Sequence, residues 1–127
     1  MRIGLALVLA SALVAAPLSA APGDMDVATF LAKAEKLEKK GVTALFSSDL
    51  KVLKREVEAS AEAYRAQIKS DRAAGRKAHS CPPAKGAAKL GSDELLAHFR
   101  SYPAAKRSSM TVRSGFFDMM AKRFPCR

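Results

Sequence analysis

Apolar residues recur along the chain at helical spacing, and no segment sustains period-two alternation, so the pattern predicts helices and no strands. From 26 to about 40, Val27, Phe30, Leu31, Ala34 and Leu37 form a single stripe. Asp26 stands where a helix cap is needed, and Gly41 marks the stop. Val42–Phe46 reads either as a short helical turn or as an extended link, after which Ser47, Ser48 and Asp49 offer the next cap. The longest helix is predicted at about 49–74, with Leu50, Leu53, Val57, Ala61, Tyr64 and Ile68 tracing a narrow seam. Lys51, Glu58, Glu62, Arg65, Lys69 and Arg72 occupy the opposite face, and Gly75 ends the helix.

Residues 76–91 hold two prolines and two glycines and read as a loop. Ser92 is expected to cap a third helix, with Asp93 and Glu94 complementing its dipole and Leu95, Leu96 and Phe99 facing inward. That helix must stop near Ser101, because Pro103 disfavours helical backbone in the residue before it. A fourth helix is expected from Ser108 or Ser109 to about Arg123, with Val112, Phe116, Met119 and Met120 on its apolar side and Pro125 beyond its end. The fold class that follows is all-α, a small helical bundle of about four helices.

The first twenty residues stand apart. Arg2 precedes an uncharged, mostly apolar run from Ile3 to about Ala16, followed by Pro17 and the mostly small residues up to Ala20. This is the three-part pattern of a secretory signal peptide, and the run is shorter than the ~20 residues that span a bilayer. Cleavage is expected after Ala20, with Gly23 as the second choice. The organisation read from sequence is therefore a leader at 1–20 and one helical domain at 21–127, periplasmic or secreted, with no membrane segment after cleavage.

Export changes the reading of charge and of cysteine. Without Arg2 the formal charge of +10 becomes about +9. The cations are interspersed with acids, as on solvated helix faces, and the compartment turns a basic protein away from nucleic acid. Anionic lipid, acidic polysaccharide or an acidic protein partner fits better, beside the plainer role of solubility. The two cysteines, Cys81 and Cys126, are expected to form a disulfide. It would close about 45 residues, worth about 4 kcal/mol by chain entropy. A zinc site of Cys81, Cys126, His79 and His98 is the rival, but the spacing of His79 and Cys81 is unlike the usual ligand pairs.

No catalytic frame emerges. His98 has Ser92, Glu94, Ser101 and Tyr102 near it in sequence, without a recognisable nucleophile–base arrangement, and there is no glycine-rich phosphate loop. The expectation is a protein that is not an enzyme and carries no cofactor or metal. Met110, Met119 and Met120 with Phe116, Phe117 and Phe124 read first as core and second as an adaptable binding surface. If a contact loop exists it is 72–91, which is cationic through Arg72, Arg76, Lys77, Lys85 and Lys89 and anchored at Cys81; the alternative is a solvated connector.

The segment Cys81-Pro82-Pro83, the helix with Leu95-Leu96-Ala97-His98-Phe99-Arg100, then Tyr102-Pro103 and the closing Arg123-Phe124-Pro125-Cys126 resembles the C-terminal half of the Rap/Tai group of type VI secretion immunity proteins. The resemblance covers about 45 residues. It implies a small, exported, disulfide-bonded helical protein that occludes a protein partner, a secreted peptidoglycan amidase, often as a homodimer. A small periplasmic acid-stress chaperone is the alternative suggested by size, export, helicity and a lysine-rich surface.

Overall fold

Asp26 sets the start of the first helix by accepting from the Thr29 N–H at 2.8 Å and from the Thr29 hydroxyl at 2.7 Å. The structure is a computed structural model that describes residues 21–127; the expected leader lies outside them. Helix α1, Val27–Lys40, buries Val27, Phe30, Ala34 and Leu37, and it ends at Gly41, whose φ of 57° suits a residue without Cβ. A short 3₁₀ segment, Gly41–Phe46, follows; of the two sequence readings of this link, the helical turn is correct. Helix α2, Ser48–Ala73, is capped by the Ser47 hydroxyl, and the chain leaves it through Gly75 at φ 68°.

The remaining helices are α3 (Ser92–Arg100), α4 (Ala104–Ser109) and α5 (Val112–Arg123). Two local expectations are corrected here. Ser92 is the first residue of α3 and not its cap; Gly91 holds the cap position without any side-chain hydrogen bond. The helix expected to begin at Ser108 or Ser109 begins at Val112; Ser108 and Ser109 instead end the short α4, and Met110, between the two helices, is extended at φ −107° and ψ 132°. Thr111 caps α5 by accepting from the Ser114 N–H.

The break has a long-range cause. The Val27 N–H donates to the Met110 carbonyl at 2.9 Å, and the Val112 N–H donates to the Met25 carbonyl at 2.8 Å. Asp26 and Thr111 thus pair as a single antiparallel bridge, the only strand-like pairing among the described residues. A continuing helix would engage these same backbone groups internally, so pairing with the chain start replaces helix at 110–111.

The core lies between α1, α2, α3 and α5. Phe99 is at its centre, fully buried, with its ring edge-on to Phe30 at 5.3 Å. Gly115 of α5 lets the Phe99 ring approach: a Cβ at that position would stand 2.8 Å from Phe99 Cε1. Tyr64 of α2 packs edge-on against both Phe116 and Phe117 of α5.

The buried row of α2 is not the apolar seam read from sequence. Leu53, Tyr64 and Ile68 are buried as expected, but Leu50, Val57 and Ala61 are half-buried, and Glu56, Ser60 and Asp71 take the interior positions. Each polar side chain is satisfied by hydrogen bonds, and Glu56 and Asp71 hold other parts of the chain. The Glu56 carboxylate accepts from the Gly23 N–H at 2.6 Å and the Met25 N–H at 3.3 Å. Ser60 donates to the Glu56 carbonyl, and Asp71 accepts from Gln67 and from the Arg76 guanidinium.

Candidate binding groove

The loop from 74 to 91 is tied down at several points. At its start, the Arg76 N–H donates to the Asp71 carbonyl at 2.8 Å while its side chain pairs with the Asp71 carboxylate at 3.1 Å. Ser80 is fully buried and shares a hydrogen bond with the Tyr64 hydroxyl. His79 lies edge-on to Phe117. Cys81 is bonded to Cys126, and the Cys81 N–H donates to the Phe124 carbonyl at 2.8 Å. At the far end, Arg123 pairs with Glu94 and donates to the Lys89 carbonyl. Only the stretch between these ties, with Pro82-Pro83 at its head, stands away from the bundle as an exposed rim.

That rim, the C-terminal half of α2 and the outer side of α5 enclose a groove of about 530 Å³. Its floor is apolar: Ile68, Phe116, Met120 and Phe124. Pro82 and Pro83 form one wall, stiff because each ring fixes its φ. Around the edge stand Arg65, Lys69 and Arg72 of α2 and Lys85 of the loop, all exposed, and no carboxylate lines the groove. None of the four cations belongs to an ion pair among the described residues, whereas Arg76, Arg100, Arg113 and Arg123 all do.

Of the five loop cations singled out from sequence, Arg72 and Lys85 reach this groove. Arg76 is engaged with Asp71, and Lys77 and Lys89 are exposed residues that do not line it. Arg65 and Lys69 complete the edge and were placed by sequence only on the solvated face of α2. Their spacing with Arg72, at steps of four and three, was the available signal, since it sets the three on one helical row. The methionine and phenylalanine cluster divides: Phe116 and Met119 belong to the buried core, while Met120 and Phe124 remain half-exposed in the groove.

The cysteines are joined to each other, which leaves neither thiolate for a metal, so the zinc alternative is overturned. The two histidines lie in separate surroundings. His98 Nε2 is 2.7 Å from the Tyr102 hydroxyl and 3.3 Å from Asp118 Oδ2; Tyr102 also donates to Asp118, and Lys122 contacts the same carboxylate at 3.1 Å. Desolvation holds the His98 imidazole below its ordinary value, against the raising influence of Asp118. Burial and the neighbouring Asp118 carboxylate push the Tyr102 phenol upward, and the Tyr102 hydrogen bond draws Asp118 downward. This network joins α3 and the turn after it to α5.

Fold and groove together define a disulfide-tied all-α domain with a cationic, apolar-floored cleft. No protein-family model, no curated protein and no solved structure matches the chain.

Proposed function

We propose that this chain is an exported binding protein whose α2–α5 groove seats an acidic, apolar-bearing segment of a protein partner and thereby occludes it. The observation that carries the reading is the groove's chemistry: among the described residues, four cations without an ion pair, no lining carboxylate, and an apolar floor held behind a disulfide-anchored proline rim. A rigid rim reduces the ordering cost of binding, and cations around an apolar floor select a partner of opposite charge. A disulfide is at home in an oxidising compartment, which supports export of the domain. No helix among the described residues is long and apolar enough to cross a membrane. The likeness of the Cys81–Cys126 segment to the type VI immunity group agrees with occlusion of a secreted amidase.

The test is capture from envelope extract on immobilised wild-type protein and on the Arg65→Glu/Arg72→Glu variant, with partners identified by mass spectrometry. The expected result is an acidic protein that wild type retains and the variant releases. Equal retention by both would remove the groove from the argument, and no retained protein would remove the binding role. Amidase activity of the retained protein, blocked by wild type, would specify the immunity reading.

A chaperone that opens in acid is a second reading, favoured by one feature. Two segments are held by buried carboxylates, the chain start by Glu56 and the loop by Asp71. Loss of the Asp71 charge in strong acid would loosen the loop from its Arg76 anchor. Failure of the protein to suppress client aggregation in strong acid would dispose of it.

A further inference from the structure

The 3₁₀ segment between α1 and α2 presents an unusual surface. Val42 is 83 % exposed, Leu45 71 % and Phe46 90 %, and these are the large apolar residues that the described fold leaves in solvent. They are not on a loose loop. Thr43 donates to the Lys40 carbonyl at 2.8 Å, the Ser47 N–H donates to the Ala44 carbonyl at 3.0 Å, and Ala44 packs against the core. Ala44 turned inward leaves its three apolar neighbours outward, as a fixed tip.

The tip has a cationic base. Residues 36–55 include Lys36, Lys39, Lys40, Lys51, Lys54 and Arg55 against only Glu38 and Asp49. Both acids are occupied: Glu38 accepts from Arg100 at 2.9 Å and Asp49 from Lys33 at 2.8 Å; of the cations, Lys39 pairs with Glu35, one turn back, at 3.5 Å. Lys40 also reaches Ser47 at the foot of the tip. Exposed aromatic and aliphatic side chains beside lysines match the acyl boundary and the anionic headgroups of a lipid surface. Exposed apolar side chains mark protein or lipid contacts, and their pairing with cations here favours an anionic layer that takes up both.

We propose that the Val42–Phe46 tip is a docking element for an anionic lipid surface, inserting Leu45 and Phe46 while Lys40 and Lys51 meet lipid phosphates. The geometry fits the rest of the molecule without depending on the groove's function. The groove begins at Ala61, and the helical rise sets it roughly 20 Å along α2 from Ser48. A domain held at its tip would keep the groove clear of the lipid and open to a partner.

The chain has no tryptophan, so Phe46→Trp introduces a single reporter at the tip. The test uses this variant of the exported protein with vesicles of phosphatidylglycerol and phosphatidylcholine, and with phosphatidylcholine alone. The expected result is a blue shift and enhanced emission with the anionic vesicles, reversed by salt, and little change with neutral ones. Cosedimentation of the otherwise native protein should fall about tenfold or more in Leu45→Ser/Phe46→Ser, since burying each large apolar side chain is worth at least about a decade in partition. Lys40→Glu/Lys51→Glu should lose the preference for anionic lipid. Unchanged emission with anionic vesicles would overturn the proposal. So would equal sedimentation of the serine variant, which would assign binding to another part of the domain. A shift that follows protein concentration and not lipid would identify a second copy as the occupant and would equally overturn it.

Discussion

The Glu56 carboxylate accepts the Gly23 backbone N–H at 2.6 Å across 33 residues of sequence. Through this bond and its companion to Met25, the middle of α2 holds the start of the domain. Arg113 closes the other side: its N–H donates to the Gly23 carbonyl, its side chain to the Pro22 carbonyl, and its guanidinium pairs with Asp24. Leader removal after Gly23 would delete the Pro22 and Gly23 partners, whereas removal after Ala20 preserves every one of them. Pro22 and Gly23 are thus working partners of α2 and α5 in the fold.

Glu56→Ala leaves two N–H groups without their acceptor in a sheltered position, and its expected cost is about 2–3 kcal/mol. Urea unfolding gives the stability change, and hydrogen exchange should show faster exchange at Gly23 and Met25. If exchange there stays as slow as in wild type, the carboxylate does not hold the segment.

Gly115→Ala drives a methyl against Phe99, whose ring lies fully buried at the centre of the core. The ring cannot retreat without displacing Phe30, which it meets edge-on. The expected destabilisation is about 1–3 kcal/mol, from overpacking. The Phe99→Leu background, with a smaller side chain at the contact, should reduce the penalty of the alanine. A penalty of the same size in both backgrounds would place the strain elsewhere.

Reduction of Cys81–Cys126, or Cys81→Ser/Cys126→Ser, should cost about 4 kcal/mol on chain entropy alone for its separation of 45 residues. The rim should lose order before the bundle does, because only hydrogen bonds such as Tyr64–Ser80, Cys81 N–H to the Phe124 carbonyl and Arg123–Lys89 would then tie it. Denaturation with and without reductant measures the first effect, and proteolysis at 82–88 the second. A reduced protein as stable as the oxidised one would show that the bridge is not a major support.

His98 gives the domain a pH dependence of definite sign. Its folded pKa lies below the ordinary 6.5, so between the two values the unfolded chain binds more protons than the folded one. Its contribution is fully present above 6.5 and is lost as pH falls from there toward the folded value. Asp118 and Asp71 act lower: both are held below the ordinary 3.8, so their contributions are present above that value and are lost as pH falls through their folded values. For Asp118 the Tyr102 hydrogen bond is the main cause; for Asp71 the bonds from Gln67 and Arg76 outweigh the raising influence of burial. Urea midpoints measured from pH 8 to 5 should decline, and His98→Gln should flatten that decline. A decline of equal slope in the variant would locate the titration in another group.

Much of the architecture was legible in the sequence because it is local. The Asp26 and Ser47 caps, the Gly41 and Gly75 stops and the α1 stripe depend on residues within a turn of one another, and each stands where spacing predicted. The cysteine pairing was legible because only one intramolecular bridge can be drawn from two cysteines. The groove was legible in part. Arg72 and Lys85 carried a loop signature, but Arg65 and Lys69 are ordinary helix-surface cations until Pro82, Phe124 and the rim are brought beside them.

What the sequence determined by itself, then, is a helical domain with its caps, its stops and its covalent tie. Tertiary structure alone decided which face of α2 is interior, where the last helix begins and which cations share an apolar floor. The reason is the same in each case. Glu56 and Asp71 are buried because distant or neighbouring donors satisfy them, and Met110 leaves the helix because Val27 takes its carbonyl. Hydrophobic periodicity records the preference of a side chain for water, and it holds no information about a hydrogen-bond partner many residues away.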